Sequence, residues 1–462
     1  MKKKMKTQNE FRSQLLKLVI PISLQQMMMA LVSVTDAVML GFLNQDALSA
    51  VSLAGQVQFV FSLFVFAISS GMSILAAQYW GIKDKKSVEK ILGIGLRAMV
   101  LVSLVFSIAA FACPQLIMKS FASDEILISN GAQYLRAVAV SYFFLALSQS
   151  YLCIMKNCSM AAKSSVISSV SVILNIILNA LLIFGFAGFP KMGIAGAGVA
   201  TSVSKAVELI WVAIVMFKKD HIKVRLKYVL HADKLLRKDY WKYAWPVLGN
   251  NLVWGIGFTM YSVILGHLGS DATAANSIAN IIKNLAICVC QGIATASSVM
   301  VGAELGRGAL EKAKEYGSRL CRISLIGGFI SGGLILCIIP FVPLFGSISE
   351  TAQSYLKVML VVSSYYVVGK AMNMTVISGI FPSGGDSKFG LKCDSITMWC
   401  VTVPIGLLAA FVFRLSPVIV YVMINIDEIV KLPAVYIHYQ KHLWLKNLTN
   451  SDVIEKKSAA SV

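Results

Sequence analysis

Charge is what this sequence has least of. Only 14% of its 462 residues are Asp, Glu, Lys or Arg, and 57% are hydrophobic, where soluble domains carry about 25% charged residues. With a mean hydropathy of +0.73, a soluble globular fold is excluded and a polytopic membrane protein is defined. Catalytic groupings are missing as well. The five histidines, His221, His231, His267, His438 and His442, show no HExxH or similar spacing, and no nucleophile clusters with a base, so the chain is not expected to be an enzyme. Nine cysteines include no CxxC pair. Cys288 and Cys290, two apart on a helix, face different sides, so neither a metal set nor a disulfide framework is expected. The glycine-rich GIAGAGVAT stretch lacks the Lys-Ser/Thr end of a phosphate loop and lies in an apolar span, where close helix packing explains it. No cleavable signal is visible after the basic start MKKKMK, because the first span is too long and has no small-residue cleavage site.

What the chain has in abundance is long apolar runs. Twelve stretches of membrane-crossing length fall near 15–42, 53–79, 91–113, 132–154, 163–186, 193–217, 243–268, 277–303, 322–345, 356–380, 393–413 and 416–439. Lys and Arg crowd into alternate connections. Lys2 to Lys6, Lys83 to Lys90, Lys156 with Lys163, the stretch from Lys218 to Lys242, Arg307 to Arg319, Lys388 with Lys392 and the tail lysines share one side. Lys119, Lys191 and Arg414 are nearly all that the other side holds. By the positive-inside rule both termini are cytoplasmic, in a plasma (inner) membrane protein. The net charge of +20 is then a topology signal and gives nucleic-acid binding no support.

The two halves resemble each other. At a constant offset of 225 residues, Pro21 matches Pro246, Gly41 matches Gly266, and Gly81 matches Gly306. Arg97 matches Arg322 and Lys163 matches Lys388 in the same way. Two six-helix halves of like orientation imply a parallel repeat. The expected division is a lobe over 1–217, a basic cytoplasmic linker at 218–242 lying along the inner membrane surface, a second lobe over 243–440 and a cytoplasmic tail over 441–462. The fold class is therefore all-α: twelve transmembrane helices in two pseudo-symmetric six-helix lobes around a central cavity.

Polar residues inside these spans are few. In the first span Asp36 stands alone, without an opposite charge near it in sequence, and an acid at membrane depth marks a functional site unless it snorkels to the headgroups. Asn175 and Asn179 lie one turn apart on the fifth span, and Thr201 sits early in the sixth, with Lys205 and Glu208 deeper. Counted from the outer ends at 1.5 Å per residue, Asp36, Asn179 and Thr201 sit on the order of 9–12 Å deep, with Asn175 about a turn deeper. A carboxylate, two amides and a hydroxyl at one depth can hold a small hard cation, or a proton on Asp36. The competing use is as hydrogen-bonded glue between helices. Pro21, near the inner end of the first span, can let that helix bend.

The second half does not repeat this set. Tyr261, Cys400 and Pro404 occupy the positions of Asp36, Asn175 and Asn179. It carries instead Asn276, Asn280, Lys283 and Asn284, then Lys370 and Asn373, then Asp427, Glu428 and Lys431. Asp427 and Lys431, spaced i,i+4, can pair on one helix face. Unpaired, Lys283 or Lys370 would face the cavity and tune the accepted charge of a substrate. Gln25, Met28, Trp254 and Tyr261 are further cavity candidates, since thioethers and aromatic faces suit flat cations; ordinary packing is the competing use.

VTDAVMLGFL with Ala47 to Ala54, Asn175/Asn179 followed by LLIFG, GIAGAGVAT, and SGIFPSGGDSKFG leading to Asp394, Trp399 and Pro404 are together similar to the multidrug and toxic compound extrusion (MATE) family over nearly the whole chain. The resemblance implies a cation-coupled antiporter, using H⁺ or Na⁺ and no other cofactor, that exports amphipathic, cationic organic compounds by alternating access. A monomer in the lipid bilayer is expected. A flippase for lipid-linked saccharides, also within the superfamily, is the alternative and would call for a large cationic cavity. In relatives the coupling site uses a helix 1 aspartate, an asparagine and an aspartate one turn apart on helix 5, and a helix 6 threonine, which map onto Asp36, Asn175, Asn179 and Thr201. This chain departs at Asn179, an amide in place of a carboxylate, and lacks the acid that another branch carries in its seventh span.

Overall fold

In lipid a spanning segment must satisfy its own backbone groups, so the apolar runs form helices. The computed structural model describes residues 2–218, 221–344 and 349–449; the side chains of 2–8, 187 and 344 fall outside that description. Residues 219–220 of the expected linker and the tail from 450 onward also lie outside the described residues. The long helices are α1 (Lys2–Leu43), α2 (Gln45–Gly81), α3 (Lys85–Ala112), α5 (Glu125–Asn157), α6 (Ala161–Phe184) and α7 (Ile194–Met216). After the linker come α9 (Lys234–Gly266), α10 (Ser270–Gly306), α11 (Leu310–Ile338) and α12 (Glu350–Asn373). Short helices α4 (Pro114–Lys119), α8 (Leu226–Leu230) and α13 (Phe381–Ser383) lie between them. The eleventh span runs from α14 (Lys388–Ser395) through α15 (Val403–Leu407), with π-helical turns at Ile396–Thr402 and Leu408–Val412. Another π-helical turn, Met374–Ile380, precedes Pro382. Prolines have no N–H to give, and a wider turn beside them keeps the chain helical.

Among the described residues eleven helices are long and apolar enough to cross a membrane. The span expected at 416–439 is not one of them, because it is broken. Its pieces are α16 (Pro417–Ile424) and α17 (Asp427–Gln440), separated at Asn425 and Ile426. The Asn425 side chain donates to the Tyr421 carbonyl at 2.8 Å, taking up an acceptor at the end of α16.

The chain folds into two units. One, the C-unit, comprises Met1–Met27, Ala77–Lys83 and Lys242–Val462; the other, the N-unit, comprises Met28–Ala76 and Asp84–Trp241. Both units therefore take part of α1 and α2. Within the C-unit the repeated glycines Gly81 and Gly306 answer each other. A Cβ on Gly81 would run into the Ala303 carbonyl, and one on Gly306 into the Gln78 carbonyl, so α2 and α10 meet there backbone to backbone. The segment 441–449 packs on the same crossing. Gln78 donates to the Ser383 and Lys446 carbonyls at 2.7 and 3.2 Å, the Asn447 amide donates to the Gly306 carbonyl at 3.2 Å, and Trp444 is fully buried.

Within the N-unit, the linker is docked on α3 and α5. Arg225 Nε reaches Glu89 Oε2 at 2.6 Å, Tyr151 donates to the Ile222 carbonyl at 2.8 Å, and Lys90 pairs with Asp233 at 2.8 Å. A Cβ on Gly93 would lie 2.7 Å from the Tyr228 carbonyl oxygen. The GIAGAGVAT glycines do the same for α7: a Cβ on Gly196 would lie 2.6 Å from the Leu182 carbonyl oxygen, and one on Gly198 2.6 Å from Ala137. Close packing against α6 and α5 is thus what these glycines provide.

Candidate functional site

That packing sets the N-unit site. Leu40, Ile183 and Ala197 form a buried cluster that joins α1, α6 and α7, with Tyr134 of α5 packed against it. The same three helices carry Asp36, Asn179 and Thr201, the residues matched by depth in the sequence, and Asn175, a turn from Asn179. Asn179 Nδ2 donates to Asp36 Oδ1 at 2.6 Å and lies 3.4 Å from Asn175 Oδ1. Asn175 Nδ2 donates to Thr201 Oγ1 at 3.3 Å, and the Thr201 hydroxyl donates to the Ala197 carbonyl at 3.0 Å. One chain of hydrogen bonds thus links three helices from carboxylate to hydroxyl. Asn175 and Asn179 are buried, whereas Asp36 is half-buried.

The chain leaves one acceptor unused. Asn179 Oδ1 is buried and has no hydrogen-bond partner. A buried polar oxygen left unbonded costs on the order of 1–3 kcal/mol, and this one belongs to the same amide that holds Asp36. The donor set is all oxygen: a carboxylate, an orphaned amide carbonyl and a hydroxyl. Such a set fits a small hard cation or a proton. Tyr134, whose phenol lies within electrostatic reach of Asp36, was missed by depth counting on the charged and amide residues. Its signal is a lone tyrosine near the outer end of α5. Lys205 and Glu208 are paired with each other at 2.9 Å, and Ser148 donates to Glu208 at 2.7 Å, so this pair satisfies itself apart from Asp36.

The C-unit gathers the second-half charges. Lys370, which would face the cavity if unpaired, is bonded to Glu428 Oε1 at 2.9 Å, because an ammonium at membrane depth needs a counter-charge. It also sits 5.1 Å from the centre of the Trp254 ring. Lys431 bonds Asp394 at 2.8 Å, Asp427 at 3.1 Å and Glu428 at 3.3 Å. The i,i+4 pairing of Asp427 with Lys431 is therefore present, within a larger set. Lys283 is buried against the Tyr366 and Tyr421 rings, 4.8 and 5.9 Å from their centres, and donates to Asn425 Oδ1 at 3.4 Å. Trp254 stacks on Phe258, and Tyr261 is buried in the core of this unit. Gln25 is buried in the C-unit, while Met28 is half-buried in the N-unit. Asp394, a member of the buried ionic set, has no signal in the sequence beyond its place in a motif.

A duplicated set of membrane helices is an architecture that many transporters share, and the chain is a multi-pass membrane protein. Its family follows from comparison with known proteins. The MatE family model matches twice, at residues 21–181 and 246–408, so that the second match begins 225 residues after the first. The chain belongs to the MatE family, the MATE transporters. It is 21% identical over 430 residues to the uncharacterized transporter YisQ of Bacillus subtilis, covering 92% of this chain and 93% of that one. With the probable multidrug resistance protein NorM of Thermotoga maritima the identity is 23%, covering 88% and 87%. A crystal structure of MATE in the straight conformation superimposes with a TM-score of 0.85 at 18% identity, covering 93% of this chain and 96% of that one.

Proposed function

We propose that this MATE transporter is a cation-coupled antiporter that exports amphipathic, cationic organic compounds from the cytoplasm. In this reading it works as a monomer in the cell membrane, with both termini on the cytoplasmic side. The observation that carries the reading is the hydrogen-bond chain from Asp36 through Asn179 and Asn175 to Thr201, with Asn179 Oδ1 unfilled. The inward cation and the outgoing substrate each favour a different state of this site, and their exchange is the coupling. Pro21, inside α1, is where that helix bends between states.

The proposed coupling ion is H⁺. A second carboxylate at 4 Å would add about 4 kcal/mol of attraction for Na⁺ at an effective dielectric of 20, and Asn179 forgoes it. A proton bonds to Asp36 itself and depends less on a second charge. In the C-unit the pairing of Lys370 and Lys431 with carboxylates speaks for cationic cargo and against the strongly cationic cavity that a pyrophosphate-linked lipid would need. Dye export from proteoliposomes under an imposed ΔpH or ΔNa⁺ tests the reading. Export that responds to ΔpH is expected, and export driven by Na⁺ alone would reverse the ion assignment.

A further inference from the structure

The C-unit holds a set of buried charges that the coupling site in the N-unit does not use. Asp394, Asp427 and Glu428 share two ammonium groups, those of Lys370 and Lys431, within ion-pair distance. With all five ionised, the set carries one negative charge in excess. Glu428 spends both of its oxygens: Oε1 on Lys370 and Lys431, and Oε2 on Asn373 Nδ2 at 2.8 Å. Asp394 Oδ1 has the shortest contact with Lys431, at 2.8 Å, and its side chain keeps 10% exposure. Asp427 differs. Its Oδ2 meets Lys431 at 3.1 Å, its side chain is 1% exposed, and its Oδ1 is buried with no hydrogen-bond partner.

This oxygen stands where the last membrane helix is broken, since Asp427 is the first residue of α17, just past Asn425 and Ile426. Interrupted helices at membrane depth are where transporters bind ions. Lys283 contacts the break from α10: its Nζ meets Asn425 Oδ1 at 3.4 Å and acts on Asp427 by charge, outside ion-pair distance. The remaining groups that act on Asp427 are Lys370 and Tyr366 from α12, Tyr261 from α9, and Glu428 and Lys431 from α17 itself. Asp394 of α14 acts through its share of Lys431. The helix N-terminus and Lys431 favour the carboxylate, whereas burial with one oxygen unbonded favours the acid. Those opposed tendencies make a group that can exchange.

We propose that the C-unit contains a second proton-binding site, separate from Asp36, in which Asp427 takes up the proton on its unbonded oxygen. The step forms one O–H bond at Oδ1 with a proton from a hydronium ion, which leaves as water, and cancels the excess negative charge of those five groups. It also leaves Lys431 shared between two anions rather than three, which tightens its hold on α14 and frees Asp427 from it. The proposal builds on the coupled-transport reading but does not depend on Asp36 being the coupling residue.

Infrared titration of the purified full-length protein in liposomes tests it, through the carbonyl-stretch band that only a protonated carboxylic acid shows. While pH is still above about 5, where ordinary carboxyls stay ionised, wild type is expected to gain two such bands, both displaced by selective ¹³C labelling of aspartate. Asp36→Asn removes one and Asp427→Asn removes the other. If Asp427→Asn fails to fold, Asp427→Glu is expected to move the second band out of the aspartate-labelled set. A wild-type spectrum in which neither Asp427 variant changes any protonated-acid band overturns the proposal. A wild-type spectrum without an Asp36 band, or ΔpH-driven export that Asp36→Asn leaves unchanged, with the Asp427 band intact, overturns the coupling reading instead.

Discussion

Asn179 holds Asp36 at 2.6 Å through its amide nitrogen while its own carbonyl oxygen, buried, receives no hydrogen bond. The residue that carries an amide where the resemblance implies a carboxylate is therefore also the one with an unbonded acceptor. An aspartate placed there would bring a second negative charge to a site already supplied with oxygen. Asn179→Asp is expected to confer Na⁺-stimulated dye export on proteoliposomes in which wild type responds to ΔpH. Equal Na⁺ responses in the two proteins would contradict this.

The repeat predicts a contrast between glycines. A methyl group on Gly306 would run into the Gln78 carbonyl, while one on Gly266 would meet nothing within 4 Å. Overpacking of this kind costs about 1–3 kcal/mol, whereas helical Gly→Ala without a clash gains about 0.5–1 kcal/mol. Gly306→Ala should therefore lower the thermal unfolding temperature of the purified protein, and Gly266→Ala should hold or raise it. Matching temperatures for the two variants would contradict the close crossing of α2 and α10.

Much of the candidate site was legible in the sequence because helix rise is constant. Counting from span ends put Asp36, Asn179 and Thr201 at one depth, and the structure links them. The offset of 225 likewise picked out Gly81 and Gly306 before their crossing was seen. Contacts between side chains on different helices were not legible. The Lys370 bond to Glu428 depends on how α12 meets α17, and Asp394 reaches Lys431 from α14. Periodicity carries no information about either meeting. The break at Asn425 was hidden for a related reason, since an apolar run of the right length reads as one helix. Its signal was the Asp-Glu pair in mid-span, which needs partners and a helix start to be tolerated there.

Asp233, outside the membrane helices, gives a prediction about pH. The hydrogen bond from Lys90 holds its carboxyl below the ordinary range, helped by the backbone N–H groups of Leu235 and Leu236. A carboxylate whose folded value is depressed contributes stability that is present above its unfolded value and lost as pH falls through the folded one. The pair is partly exposed, and such pairs contribute about 0.2–1 kcal/mol. Asp233→Asn keeps a capping oxygen but loses the charge. It should unfold slightly more easily than wild type at neutral pH, with the difference vanishing in acid. A difference that grows in acid would contradict the pairing.

Orientation is testable with thiols. In a background without the nine native cysteines, Gln45→Cys and Ser270→Cys, both exposed positions, should react with an impermeant reagent from outside intact cells. Lys86→Cys, also exposed, should not. Labelling at position 86 in sealed cells would overturn the cytoplasmic assignment of both termini.

A single variant decides whether Asp36 carries the coupling proton. Asp36→Asn keeps the size of the side chain and an oxygen for Asn179 but takes away the only carboxylate in the hydrogen-bond chain, so no proton is gained or lost there. The measurement is dye export driven by an imposed ΔpH in proteoliposomes holding equal amounts of folded wild type and Asp36→Asn. Robust export by wild type, and none above protein-free liposomes by the variant, is the expected result. Export by Asp36→Asn at the wild-type rate would contradict it.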